Sequence, residues 1–269
     1  MIYNMCNLME LFKRNKRSEP KYVVPEFKKS ILHTYAVKPF GPGVIDLSQT
    51  SDGIVGLSTK SKYKLKLQVR KPSSDLVYNY DVPNGEGCMF IPVNMEDGTY
   101  KLRLMQSIQD NQYKCIAETS TEVTLADEFQ PYLRPSQMVD YNENSDCVQK
   151  VKVLAASCTT DADIAAAVYD YMVKNIKYDT EKAATVQNGY LPSPDETLKI
   201  GKGICFDYAS LAAAMLRSVG IPCKLITGYV GEETYHAWNS IYLKDKGWSL
   251  FDTTRFLNKE SVYTTKYTY

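Results

Sequence analysis

Hydrophobic and polar positions alternate along the first half of the chain and recur at helical spacing along the second. In KYKLKLQVR (62–70), Tyr63, Leu65, Leu67 and Val69 fall on one face and lysine and glutamine on the other, as a half-buried strand requires. DGTYKLRLMQSI (97–108) opens on an Asp-Gly turn and alternates in the same way, and YKCIAETSTEVTL (113–125) is rich in β-branched residues. Turn residues recur between these runs at Gly41-Pro42-Gly43, Pro72-Ser73-Ser74, Pro83-Asn84-Gly85 and Asp97-Gly98. After QPYLRPSQMVDY (130–141), read as an extended linker or crossing segment, the period changes to about 3.6. DCVQKVKVLAASC (146–158) and DADIAAAVYDYMVKNI (161–176) are predicted helices, the second with Asp161 or Asp163 at its start.

This order predicts an α+β protein. A tail over residues 1–30 precedes an antiparallel β-sandwich of immunoglobulin-like kind over 31–130, and a second α+β domain occupies 131–269. KYDTEKAATVQNGYLPSPDETLKIGKG (177–203) reads as a long polar connection forming one wall of a cleft. Met1 to Phe12 could form a short amphipathic membrane anchor, but Asn4, Asn7 and Glu10 interrupt its pattern.

Charge and composition mainly exclude. The 32 basic and 31 acidic residues nearly cancel, so no global field favours nucleic acid or an acidic membrane. No apolar run approaches the roughly 18 residues that span a bilayer. The start carries its basic residues after its weakly apolar ones, the reverse of an export signal. Taken alone this suits a cytoplasmic protein, while a start lying further upstream would allow export to the cell envelope. Seven cysteines without a CxxC pair suggest neither a disulfide framework nor a zinc ribbon, and two histidines argue against a multi-histidine metal site. No metal and no cofactor is expected.

The chemistry concentrates in GKGICFDYASLAAAMLRSVGIPCKLITGY (201–229). Tyr208, Leu211, Ala212, Met215, Leu216 and Val219 recur at helical spacing, and Gly220 followed by Pro222 ends the helix. Cys205 then sits on the first turn, where unpaired N–H groups and the positive end of the helix dipole favour a thiolate. A cysteine beside an apolar helix is more often a packing residue. What shifts the balance is TYHAWNSIYL (234–243), which places His236 at the start of a strand, and GWSLFDTT (247–254), which brings Asp252 on the next. Cys, His and Asp in that order form a nucleophile, base and orienter set. Trp238 shares the strand face of His236 and either walls the cleft or packs in the core. Asp207 reads as a helix-start anion without a catalytic role. Tyr171, Tyr178, Tyr208 and Trp248 read as packing residues and Cys223 as an inert strand cysteine.

These three blocks resemble the signature blocks of the transglutaminase-like superfamily in its bacterial form, over roughly residues 140–256. The resemblance implies a papain-like catalytic arrangement with Cys205 as nucleophile, His236 as general base and Asp252 orienting the imidazole. It implies a cysteine-dependent hydrolase or acyltransferase acting on peptide or glutamine-type amides, with a protein or peptide as its partner. The alternative is a catalytically inactive binding or scaffold module of the same fold. No acidic calcium loop of the animal enzymes is recognisable. Tyr190 and Gln187, in the connection before Cys205, are candidate oxyanion or substrate residues, and residues 135–260 are expected to contain the whole site.

Overall fold

The computed structural model describes residues 21–83, 87–109, 112–232, 234–254 and 262–269. The amphipathic reading of Met1 to Phe12 and most of the turn at Pro83-Asn84-Gly85 fall outside them. Strands β1 (Val37–Pro39), β2 (Gly43–Asp46), β3 (Ile54–Thr59) and β6 (Cys88–Pro92) form one antiparallel sheet in the order β1-β2-β3-β6. Strands β4 (Leu65–Arg70), β5 (Val77–Val82), β7 (Gly98–Gln109) and β8 (Gln112–Val123) form a second, ordered β5-β4-β7-β8. Leu65, Leu67 and Val69 turn inward while Lys66 and Gln68 are half-exposed, as the alternation requires. The inward residues of both sheets, with Val55, Leu57 and Ile91 from one and Tyr80, Leu102 and Leu104 from the other, share one core. Tyr63 departs from its expected face: pairing begins only at Leu65, and the Tyr63 N–H turns back to the Ser61 hydroxyl.

The remaining elements build a second core. Helices α1 (Asp146–Ala155), α2 (Asp161–Asn175), α3 (Thr180–Thr185), α4 (Pro194–Ile200) and α5 (Cys205–Ser218) accompany a short parallel pair, β9 (Lys177–Tyr178) with β10 (Lys202–Gly203). Strands β11 (Cys223–Val230), β12 (Thr234–Leu243), β13 (Gly247–Phe251) and β14 (Tyr263–Thr268) form an antiparallel sheet ordered β13-β12-β11-β14. Every residue of α5 from Asp207 to Ser218 is buried, because α1, α2 and α4 and the strands β11 and β12 all touch it. A helix with apolar residues on nearly all sides is stable only when wrapped in this way. Among the described residues no helix is long and apolar enough to cross a membrane.

Two local expectations are corrected. Helix α2 does start at Asp161, as read, and its cap is Thr160, whose hydroxyl accepts from the Asp163 N–H while the Asp163 carboxylate accepts from the Thr160 N–H. The connection 177–203 is an ordered path through β9, α3, α4 and β10, since Asp179 and Ser193 each cap a short helix. Residues 21–30, read as tail, instead run along the second core. There the Tyr22 hydroxyl donates to the Val219 carbonyl (3.0 Å), the Phe27 ring meets Tyr141 edge-on and the Ser30 hydroxyl donates to the Pro135 carbonyl (2.8 Å). Gly220, at φ 82°, lies under Pro25 so closely that a Cβ there would come within 2.2 Å of it. This helix end therefore needs glycine for its turn and for its neighbour.

Arg217 ties these parts together. It is buried without a carboxylate, and its guanidinium donates to the carbonyls of Cys223 (2.9 Å), Arg134 (3.0 Å) and Tyr269 (2.8 Å), joining α5, β11, the linker and the end of β14. Arg217→Met keeps the apolar stem and leaves those carbonyls without this donor. It should lower the unfolding free energy by roughly 3 kcal/mol, read from the midpoint of urea denaturation.

Candidate active site

The pairing of Gly203 with Tyr178 brings the chain to the start of α5 in an extended conformation. Gly203 is required there, since a Cβ would lie 2.7 Å from that of Asp207. Ile204 is the helix cap, and its N–H donates to the Asp207 carboxylate (2.8 Å). Cys205 follows as the first helical residue, half-buried, with the N-terminal N–H groups of the helix around it.

His236 stands on β12 opposite Gly228 of β11 and is 3% exposed. A Cβ on Gly228 would meet the Thr264 carbonyl at 2.0 Å and the Trp238 ring at 2.9 Å, so glycine lets β14 and Trp238 close around the histidine. The His236 Nε2 lies 2.9 Å from Asp252 Oδ2. Asp252 follows the last residue of β13 and is itself held from two further directions. Its Oδ1 accepts from the N–H (2.9 Å) and hydroxyl (2.6 Å) of Thr254, and its Oδ2 accepts from the Tyr263 hydroxyl (2.8 Å). Burial raises the Asp252 carboxyl's affinity for a proton, but hydrogen bonds from His236 and Thr254 outweigh that and hold it below the ordinary carboxylate range. Burial likewise disfavours the imidazolium of His236, yet hydrogen bonding to Asp252 and to Cys205 and the charges of both raise its pKa to about 9. Cys205, His236 and Asp252, far apart in sequence, thus meet at one point, with the imidazole between thiol and carboxylate.

Comparison with known proteins covers the same region of the chain. Residues 148–253, which contain all three side chains, match the family model of the transglutaminase-like superfamily. This chain carries a transglutaminase-like domain. It is 25% identical over 138 residues to the uncharacterized protein YebA of Bacillus subtilis, covering 43% of this chain and 19% of that protein. It is 24% identical over 224 residues to the UPF0252 protein MJ1282 of Methanocaldococcus jannaschii, covering 75% of this chain and 62% of the relative. The chain therefore spans less than two thirds of either relative. Among solved structures, a candidate cysteine protease from Cytophaga hutchinsonii aligns over 77% of this chain and 72% of its own with 18% identity and a TM-score of 0.46. The periplasmic domain of TgpA from Pseudomonas aeruginosa aligns over 85% and 78% with 15% identity and a TM-score of 0.39.

Within the transglutaminase-like domain the secondary candidates fare differently. Trp238 is buried, stacked at 6.2 Å on the His236 ring and edge-on to Tyr263 at 5.0 Å, so it packs behind the histidine. Tyr190 does reach the start of α5, but its hydroxyl donates to Asp207 (2.5 Å). Gln187 is exposed and its amide folds back onto the Thr185 carbonyl (2.8 Å). Neither of these two side chains is placed as an oxyanion donor; both are committed to the segment that carries them. Tyr178, read as a packing residue, instead is exposed, with its side chain beside Cys205. Burial first, and then the charge and side chain of Cys205, raise the Tyr178 pKa, which keeps its proton available. Tyr263 also corrects the expectation that 135–260 holds the whole site, since it supports Asp252 from beyond that range. The Asp-Thr-Thr run could have flagged the Thr254 contact as a local turn; Tyr263 arrives through a long-range strand pairing that no local pattern announces.

The sign of the His236 shift sets a stability expectation. Its pKa rises from an ordinary 6.5 to about 9 in the folded protein, so its contribution is complete below pH 6.5 and is lost as pH rises through about 9. Wild-type protein should therefore lose thermal stability relative to His236→Asn between pH 6.5 and 9, measured by scanning calorimetry in matched buffers. Parallel curves would show that the histidine gains no proton affinity from its partners.

Proposed function

We propose that this protein is a cysteine-dependent hydrolase or acyltransferase that cleaves peptide or glutamine-type amides through an acyl-enzyme on Cys205. The observation that carries this reading is the His236 ring held between the Cys205 thiol and the Asp252 carboxylate. Asp252 accepts a hydrogen bond from Nε2–H and so leaves Nδ1 for the sulfur. The raised proton affinity of His236 favours an imidazolium at neutral pH, poised to give its proton to a departing amine.

The Cys205 sulfur attacks the amide carbonyl carbon, forming a C–S bond and a tetrahedral oxyanion. Collapse of that intermediate breaks the C–N bond as His236 gives its proton to the departing amine. Neutral His236 then takes a proton from water or from an acceptor amine, which attacks the thioester carbonyl. The thiolate leaves, restoring the starting pair. Water yields hydrolysis and a lysine amine yields transamidation; we favour hydrolysis because it needs only the groups already at the site. The Cys205 N–H would serve as one oxyanion donor and the Tyr178 hydroxyl as a second. The N-terminal β-domain would contact the protein or peptide substrate.

Two measurements test this reading. Iodoacetamide at neutral pH should label Cys205 much faster than the other thiols, and Cys205→Ala should lower kcat/KM on any accepted peptide by roughly 10⁴-fold or more. Cys223→Ala should keep its activity, because that thiol is fully buried and burial pushes its pKa up to about 12. Equal turnover by wild type and Cys205→Ala would rule out covalent catalysis by this thiol. In the second measurement, Tyr178→Phe removes one hydroxyl and should lower kcat by about 10- to 1000-fold while changing KM little. A change confined to KM would place Tyr178 in substrate binding instead.

A further inference from the structure

Asp207, two residues beyond Cys205, is completely buried, and its partners all come from outside the body of α5. Its Oδ2 accepts from Lys182 Nζ at 2.6 Å as well as from the Ile204 N–H, and its Oδ1 accepts from the Tyr190 hydroxyl at 2.5 Å. Lys182 Nζ also donates to the Tyr190 oxygen at 2.7 Å and lies 4.3 Å from the centre of that ring. Lys182 belongs to α3 and Tyr190 to the loop that follows, so one carboxylate fastens the segment 179–193 to the start of α5. That segment continues directly from Tyr178, whose side chain lies beside Cys205. Its far side reaches the β-domain, where a Cβ on Gly189 would lie 3.3 Å from the Asp81 carboxylate.

An anion at this position has two opposite effects. It satisfies an orphan N–H at the helix start, but a buried negative charge two residues from the thiol opposes a thiolate there, and low local polarity strengthens the repulsion. Lys182 is the cation that cancels it, and its proton is secure: burial disfavours the ammonium, but the bonds to Asp207 and Tyr190 raise its pKa above the ordinary value.

Resting on the reading of Cys205 as nucleophile, we propose that Lys182 and Asp207 are positioning residues for its chemistry. Their ion pair neutralises the charge beside the thiol and, with Tyr190, fixes the segment 179–193 as a wall of the cleft. The two effects separate by charge. Lys182→Met leaves the Asp207 anion without its cation and should slow alkylation of Cys205 by iodoacetamide at pH 7 by about tenfold. Adding Asp207→Asn to that variant removes the anion as well and should bring alkylation back to within about threefold of wild type. Peptide turnover in the double variant should stay at least about tenfold low, because the wall has lost its anchor. Lys182→Arg, which keeps the charge, should alkylate at the wild-type rate.

Circular dichroism confirms folding of each variant. If Lys182→Met does not fold, Tyr190→Phe carries the test: both charges remain, so alkylation should be unchanged while turnover falls. Wild-type alkylation in a folded Lys182→Met protein overturns the proposal, as does a double variant that stays as slow as the single one. Slow alkylation of Cys205 in the wild-type chain would remove the nucleophile reading itself and this inference with it, a result distinct from any failure seen only in the variants.

Discussion

Helix α5 must be buried on nearly its whole circumference, and the architecture of the second domain follows from that constraint. A run such as YASLAAAMLRSVG exposes no polar stripe to water, so helices α1, α2 and α4 and the strands β11 and β12 have to enclose it. The few polar groups inside that enclosure are spent on fixing the helix. The Asn239 amide donates to the Ala209 carbonyl, the Ser210 hydroxyl to Met138 and the Arg217 guanidinium to three carbonyls from separate segments. A helix held this rigidly gives its first turn a defined place, and Cys205 occupies that turn. Precision at the thiol is therefore inherited from packing several turns away.

The histidine and aspartate gain their positions from the sheet by a different route. Asp252 lies just beyond a strand end, where the backbone alone would leave it loose, and the Thr254 turn and the Tyr263 hydroxyl restrain it. Tyr263 in turn stands on β14, whose other end carries Tyr267 and Tyr269. Those rings meet Tyr78 and Tyr80 of the β-domain at centroid distances of 5.3 to 6.1 Å. Lys224 adds a cation over the Trp248 ring at 3.8 Å, next to Tyr132 of the linker. The orientation of the imidazole thus depends on a strand that is itself pinned between the two cores.

Much of this was legible from the sequence, and the exceptions share a cause. The alternation of β4 and β7, the helical period of α2 and α5 and the glycine stop at Gly220 are local consequences of side-chain spacing, so they could be read directly. The order of Cys205, His236 and Asp252 was readable because each sits in a short block with its own turn or helix-start chemistry. Tyr178, Lys182 and Tyr263 carry no such local mark; each becomes part of the site only when distant segments pair or pack. Asp207 is the helix-start anion that the sequence suggests, and its further partners were hidden for a related reason. From the sequence it is an anion at a helix start, stabilising through the helix dipole, and only the fold shows a lysine and a tyrosine from another segment converging on it. Residues 21–30 looked like tail because their pattern has no period, yet extended chain needs none to fill a groove.

The β-domain is consequently not structurally separate from the second. It meets the second domain at the aromatic junction with β14 and at Asp81, beside the loop that Tyr190 fastens to Asp207. The first contact leads to the imidazole through Tyr263 and Asp252, the second to the thiol through the start of α5. Both reach these side chains through buried or half-buried hydrogen bonds, which transmit a displacement more faithfully than exposed ones because little water can replace a lost partner. A displacement of the β-domain by a fraction of an ångström would act on the Asp252 carboxylate and on the segment 179–193 together. Thiol, imidazole and carboxylate are in this sense held in one frame, with β14 and the segment 179–193 as its two struts.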